Sequence, residues 1–266
     1  MTVTESIIIA IVEGITEFIP ISSTAHMRIT ENILGLSNSD KFVEAFTIAI
    51  QLGAILSVVV LYWKKFFDLK RLNFYIKLIV AVIPALIFGF LFSKKIDNIL
   101  ESPYMIAIIM LVGGIVLLFV DSWFKNPTIH NEKEVNVTTA FKIGLYQCLA
   151  VLLPGLSRSA ATIIGGMSLK LTRSAAAEFS FFLAVPTMLA AAVYKLYEYT
   201  KENGAFSSEQ IKLLGIGNLV AFVVALLAIK FFINFLKKHG FRVWGVYRII
   251  VGIVLLVMIH SGWIRS

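Results

Sequence analysis

Glu13-Gly14-Ile15-Thr16-Glu17-Phe18-Ile19-Pro20-Ile21-Ser22-Ser23-Thr24-Ala25-His26 decides how this chain folds, because a related stretch returns in the second half. That second stretch runs Gln147-Cys148-Leu149-Ala150-Val151-Leu152-Leu153-Pro154-Gly155-Leu156-Ser157-Arg158-Ser159-Ala160-Ala161-Thr162. Pro20 and Pro154, Ser23 and Ser157, and Glu44 and Glu178 are each 134 positions apart, which predicts an internal duplication aligned without a gap. The halves run over about 1–130 and 131–266 of a single membrane domain. In both, ionisable groups and hydroxyls interrupt segments that otherwise belong in hydrocarbon. An acid or arginine at the centre of such a segment costs about 2.5 to 3.5 kcal/mol, so the concentration of these groups marks a site.

The rest of the sequence supports a membrane setting. Hydrophobic residues make up 58% and charged residues 15%, and the mean hydropathy is +0.86, more apolar surface than a soluble core of this length can hide. The net charge of +8 lies mostly between apolar runs, without a basic face interleaved with aromatics, so a membrane-facing role is expected and nucleic acid is not. Cys148, the one cysteine, reads as small packing filler. No removable signal peptide or lipidation signal is expected at the ends.

Six runs are long enough to cross a bilayer, at about 41–63, 74–92, 104–122, 174–197, 210–236 and 242–262. Ser39-Asp40 and Thr172 are N-cap candidates, and Trp63, Tyr104, Trp123, Tyr197 and Trp263 sit where interfacial aromatics belong. The motif segments, about 5–35 and 139–170, each hold an apolar run, a Pro-Ser-Gly break and a second short run. This pattern predicts two re-entrant helical hairpins, whose broken backbone is tolerated only inside protein or beside a water-filled cavity. One hairpin and three crossings per half invert the second half. The expected fold is an all-α integral membrane protein with an inverted-topology repeat, its hairpin tips meeting near the midplane. A weaker echo, Gly114-Ile-Val-Leu-Leu and Gly252-Ile-Val-Leu-Leu, is offset by 138.

Loop charge sets an orientation. Lys64, Lys65, Lys70, Arg71, Lys125, Lys133, Lys170, Arg173, Lys237, Lys238 and Arg242 fall on one side. The other side holds both termini, Lys94 and Lys95 balanced by Asp97 and Glu101, and the acidic stretch Glu198 to Glu209. The positive-inside rule makes the first side cytoplasmic and opens the first hairpin outward.

Glu13 and Glu17, four apart, project from one helical face and form a hard oxygen pair suited to Mg²⁺ or Ca²⁺ bound jointly with a phosphate. Ser22, Ser23 and Thr24 follow Pro20 where a second half-helix begins, and could cap it; His26 lies close enough to Ser23 to make a nucleophile and proton-transfer pair. The second tip has the parts of an anion cradle: Gly155, the hydroxyls of Ser157, Ser159 and Thr162, a helix N-terminus, and the planar fork of Arg158. An ion pair of Arg158 with Glu13 or Glu17 is the structural alternative. Glu44 and Glu178 start equivalent helices and read as structural braces or caps. Gln51 and Gln147 read as interhelical hydrogen-bonding groups, and Lys77, Lys142, Lys195 and Lys230 as snorkelling lysines.

At the two motifs, and at Ile50-Gln51-Leu52-Gly53 and Glu178 to Pro186, the chain resembles the bacterial undecaprenyl-diphosphate phosphatase family, known for bacitracin resistance. The resemblance implies hydrolysis of undecaprenyl diphosphate to the monophosphate and inorganic phosphate with a divalent cation, at a site on the outer side of the plasma membrane. This recycles the lipid carrier of peptidoglycan synthesis. It also implies that Glu17, Ser23, His26 and Arg158 are essential; at Glu13 the family accepts Glu or Gln, and at Ala160 relatives often have Gly. Whether Ser23, His26 or water attacks stays open. A transporter or lipid flippase is the alternative, since broken helices in inverted repeats are a transporter design. A homodimer is among the assemblies the sequence leaves open.

Overall fold

The computed structural model describes residues 1–37, 40–68, 70–100 and 102–264, with backbone alone over 92–100. Ser39, Glu101, Arg265 and Ser266, and the side chains of Lys94, Lys95 and Asp97, lie outside the described residues. Helices dominate the described residues: α1 (Val3–Thr16), α2 (Ser23–Ile33), α3 (Lys41–Ala49), α4 (Gln51–Leu61), α5 (Trp63–Phe66), α6 (Leu72–Leu100), α7 (Pro103–Trp123), α8 (Val137–Leu152), α9 (Arg158–Ser168), α10 (Arg173–Asn203), α11 (Ser208–His239) and α12 (Arg242–His260).

Six segments among these residues are long and apolar enough to cross a bilayer: Lys41–Leu61, Leu72–Leu91, Pro103–Trp123, Arg173–Asn203, Ser208–His239 and Arg242–His260. α1, α2, α8 and α9 are not among them. With 14, 11, 16 and 11 residues they reach only about 16 to 24 Å at a rise of about 1.5 Å per residue, short of a hydrocarbon core of about 30 Å. Each pair folds back on itself, α1 on α2 and α8 on α9, as hairpins. Local chemistry fixes the ends. The Asp40 carboxylate accepts from the Phe42 and Val43 N–H groups, and Thr172 Oγ1 accepts from the Ala175 N–H, the two caps the sequence predicts. Trp63, Tyr104, Trp123, Tyr197 and Trp263 are all more than half exposed, as side chains at a membrane boundary are.

Packing follows the duplication. Chain order pairs α6 with α11 and α1–α2 with α8–α9, and the contacts are reciprocal: α6 lies along α8, while α11 lies along α1. α7 packs on α12, and α3–α4 on α10. Each hairpin therefore leans on a helix from the opposite half. Small residues permit the closest approaches, as expected where no hydrophobic gradient drives helices together. At the α7–α12 crossing, a Cβ on Gly114 would stand 2.8 Å from the Gly245 carbonyl oxygen, and one on Gly245 would stand 2.8 Å from that of Gly114. Cys148 is buried as expected, its thiol directed at the Gly144 carbonyl.

Glu44 and Glu178 brace the halves but cap nothing. Lys195 of α10 reaches Glu44 of α3 at 2.7 Å, and Lys65, after α4, reaches Glu178 of α10 at 3.4 Å. Each glutamate thus pairs with a lysine from the other half. Lys195 also meets Glu198, one turn nearer the end of α10, at 2.9 Å, whereas Lys77 does not snorkel: it is buried and donates to the carbonyls of Glu132 and Lys133. Gln147 bonds across helices to Thr187, as its type and place predict.

Candidate active site

The two tips meet. In the first hairpin α1 ends at Thr16 and α2 begins after Ser22; in the second α8 ends at Leu152 and α9 begins after Ser157. Ser22 and Ser157 are equivalent N-caps, each accepting a 3.3 Å hydrogen bond from the N–H three residues on, Ala25 and Ala160. Both sit in the left-handed region, at φ 70° and 73°. Non-glycine residues held there carry on the order of 1 to 3 kcal/mol of strain, which the surrounding packing must impose.

This cap equivalence corrects the gapless alignment. Ser22 and Ser157 are 135 apart, not 134, because the second tip has one more residue between its proline and its cap. The corrected register places Ser23 and Arg158 in the same structural position, the first residue of the second half-helix. Both converge on one carboxylate. Ser23 Oγ donates to Glu17 Oε2 at 2.5 Å, and Arg158 Nη2 donates to Glu17 Oε1 at 3.1 Å. Arg158 Nη1 also donates to the Ser180 carbonyl of α10 at 3.1 Å, which fixes the guanidinium plane. The Ser159 hydroxyl donates to the Ile19 carbonyl at 3.1 Å and completes the contact between tips.

Glu13 is fully buried one turn before Glu17, whose N–H bonds back to the Glu13 carbonyl at 3.0 Å. Neither Glu13 carboxyl oxygen meets a donor group among the described residues, its nearest polar neighbour being the carboxyl of Glu17, and Arg158 Nε meets no acceptor. One buried acid and one buried donor are thus left unsatisfied within the same small site, although a buried polar group without a partner is costly. His26 projects from the first turn of α2 with both ring nitrogens engaged: Nδ1 lies 2.7 Å from the Ser22 carbonyl oxygen and Nε2 lies 2.8 Å from the Tyr247 hydroxyl.

Other expected residues stand differently. Thr162 is fully buried, and its hydroxyl meets Ser180 Oγ at 2.7 Å and the Arg158 carbonyl at 2.9 Å, facing α10 and not the tip. Ser157 Oγ is occupied by its cap and by Ser159 Oγ at 3.1 Å. Gly155, at φ 84°, is required by the approach to α7, where a Cβ would stand 2.9 Å from the Ile106 carbonyl oxygen. Thr24 is exposed beside the capped turn.

The sequence reading overlooked Arg248. This α12 arginine is completely buried and donates to the carbonyls of Pro20 in the first tip, Gly155 and Leu156 in the second, and Ile109 and Met110 of α7, at 3.0 to 3.4 Å. It ties together both tips and the α7–α12 pair. The signal was available: an arginine within an apolar span deserves the attention given to Glu13 and Glu17. Tyr247 and Ser180 carried no such signal, since a hydroxyl in an apolar span is common.

These features define a class: a multi-pass α-helical membrane protein whose two broken hairpins bring an acidic pair and an arginine, ion-paired to Glu17, into one site at the hairpin tips. Comparison narrows it. The family model described as "Bacitracin resistance protein BacA" matches residues 6–254, and the chain belongs to that family. It is 59% identical over 258 residues to an undecaprenyl-diphosphatase of Flavobacterium psychrophilum, covering 97% of this chain and 96% of that protein. It is 50% identical to one of Porphyromonas gingivalis, covering 98% of each, and 44% identical to one of Aquifex aeolicus, covering 96% of this chain and 97% of that protein.

Proposed function

We propose that the chain hydrolyses undecaprenyl diphosphate to undecaprenyl phosphate and inorganic phosphate, recycling the lipid carrier for cell-wall synthesis and thereby conferring bacitracin resistance. Membership in the family and the names of its relatives support this activity over transport. The observation that carries the chemistry is the pair of unsatisfied buried groups, the Glu13 carboxylate and Arg158 Nε, flanking Glu17. One calls for a cation, the other for an anion.

Glu13 and Glu17 would hold a divalent cation, Mg²⁺ or Ca²⁺, and the Glu13 oxygens, which meet no donor group, fit that role. Among the described residues no group of three or more acids, histidines or cysteines gathers, so the remaining ligand oxygens would come from hydroxyl, diphosphate and water. The ion would neutralise diphosphate charge. Arg158 binds the terminal phosphate with its free Nε–H while its Nη groups stay anchored, and the helix N-terminal ends at Ser23 and Arg158 add positive potential.

The 2.5 Å bond from Ser23 to Glu17 favours Ser23 as nucleophile. Its Oγ attacks the terminal phosphorus, its proton passes to Glu17, and undecaprenyl phosphate departs with the broken P–O bond. Water then attacks the phosphoserine, its proton passing to His26; Ser23 Oγ leaves phosphorus and recovers the proton held by Glu17, and His26 gives up its proton to solvent as inorganic phosphate departs. Charge stabilisation of a loose transition state supplies most of the acceleration.

Purified protein in detergent should release phosphate from a prenyl diphosphate, with Glu17→Ala and Arg158→Ala inactive and a phosphoserine at Ser23 trapped by rapid acid quench. Full turnover by either variant overturns the assignment. We read the two halves as inverted repeats in the plasma membrane, with the termini and the site facing outward. Cysteine labelling in whole cells checks this orientation in a Cys148→Ala background: Glu202→Cys should react with an impermeant reagent and Lys238→Cys should not.

A further inference from the structure

We propose that Tyr247 serves this reaction by holding His26 through its hydroxyl in both of the protonation states the imidazole must adopt and by relaying the water's proton to it; the inference rests on the phosphatase reading above. A backbone carbonyl only accepts, so Nδ1, at 2.7 Å from the Ser22 carbonyl oxygen, carries the hydrogen. In the neutral ring Nε2 is then the acceptor. The Tyr247 hydroxyl, at 2.8 Å, must donate to it.

A phenol suits this task because its oxygen can both donate and accept. Because the Nε2 lone pair points at the hydroxyl, the proton of the attacking water reaches it by relay: the hydroxyl gives its own hydrogen to Nε2, takes that of the water and then accepts from the new N–H, so the ring keeps two partners and its orientation throughout. Geometry supports a dedicated pairing. The two rings are parallel within 5°, with centroids 5.6 Å apart, and Tyr247 joins residues 221 positions away in sequence. The partners on both sides are held rigidly. Ser22 is locked as the α2 cap at φ 70°, which aims its carbonyl at the imidazole. Tyr247 precedes Arg248, whose bonds to both tips fix this turn of α12 against the site.

The test is a double-mutant cycle on purified protein in detergent. Tyr247→Phe keeps the ring and removes the hydroxyl; it should lower kcat on the order of tenfold, part of the 10²- to 10⁴-fold that proton transfer supplies, with KM changed less than twofold. In a His26→Gln background the same substitution should change kcat less than twofold. Undiminished kcat in Tyr247→Phe, or an equal loss in both backgrounds, overturns the role. Nitrogen-15 spectra of labelled histidine give a readout that does not depend on turnover. Wild type should show the Nδ1–H tautomer with a hydrogen-bonded Nε2, and Tyr247→Phe should lose the Nε2 hydrogen-bond shift; an unchanged Nε2 resonance also overturns the role. A wild-type protein that releases no phosphate would overturn the phosphatase reading and this role with it, whereas active wild type with an unaffected Tyr247→Phe overturns this role alone.

Discussion

Glu17 is the residue on which the site turns, because its two oxygens are taken by the first residues of two different half-helices, Ser23 and Arg158. Glu13 is its opposite, fully buried with only the Glu17 carboxyl beside it and no donor group on either oxygen. A buried acid in that state costs the fold free energy, and a neutral amide of the same shape removes that cost. Glu13→Gln should leave the detergent melting temperature equal to wild type or higher while reducing divalent-cation stimulation of phosphate release severalfold. A drop in melting temperature with full activity would contradict that account. These two acids, His26 and Arg158 were legible in the sequence because ionisable groups stand out in apolar segments. The surroundings of Thr162 were not legible for an equally physical reason: its spacing on a helix gives the face, and only the fold shows that Ser180 of α10 packs there.

At the scale of elements, the hairpins were legible from proline, glycine and hydroxyl residues between two short apolar runs, and their lengths confirm that neither arm spans a bilayer. The tip register was not. Ser22-Ser23 and Ser157-Arg158-Ser159 offer several serine alignments, and the choice depends on which serine caps, a matter of backbone conformation. Arg248 converts the two tips and the α7–α12 pair into one assembly through carbonyl oxygens. Arg248→Met keeps much of the volume but strands these acceptors, each costing about 1 to 3 kcal/mol when buried without a donor. Thermal unfolding in detergent should therefore show a loss of at least about 3 kcal/mol, with activity falling in parallel. A variant as stable as wild type would mean that water or backbone movement satisfies those groups.

Across the whole molecule, ion pairs join distant parts of the chain on the basic side. Glu132, in the loop between α7 and α8, contacts Arg71 at 2.8 Å and Lys65 at 3.1 Å. Burial alone would push its carboxyl up, but the hydrogen bonds and charges of Arg71 and Lys65 outweigh burial and hold it below the usual carboxylate range. Its stabilising contribution is therefore complete above the ordinary carboxylate pKa and is lost as pH falls through the lowered value. Melting temperatures from neutral pH down to acid should fall less steeply in Glu132→Gln than in wild type; parallel curves would count against the linkage. The reciprocal seating of α1 on α11 and α8 on α6 has a consequence for biosynthesis. The ribosome delivers the first hairpin early, yet the helix that walls it, Ser208–His239, begins 175 residues after that hairpin ends at Ile33. Until then its two glutamates await their shelter, so nascent chains arrested before that helix should be sensitive to membrane proteases and chaperone supply, while the second hairpin finds its wall already inserted.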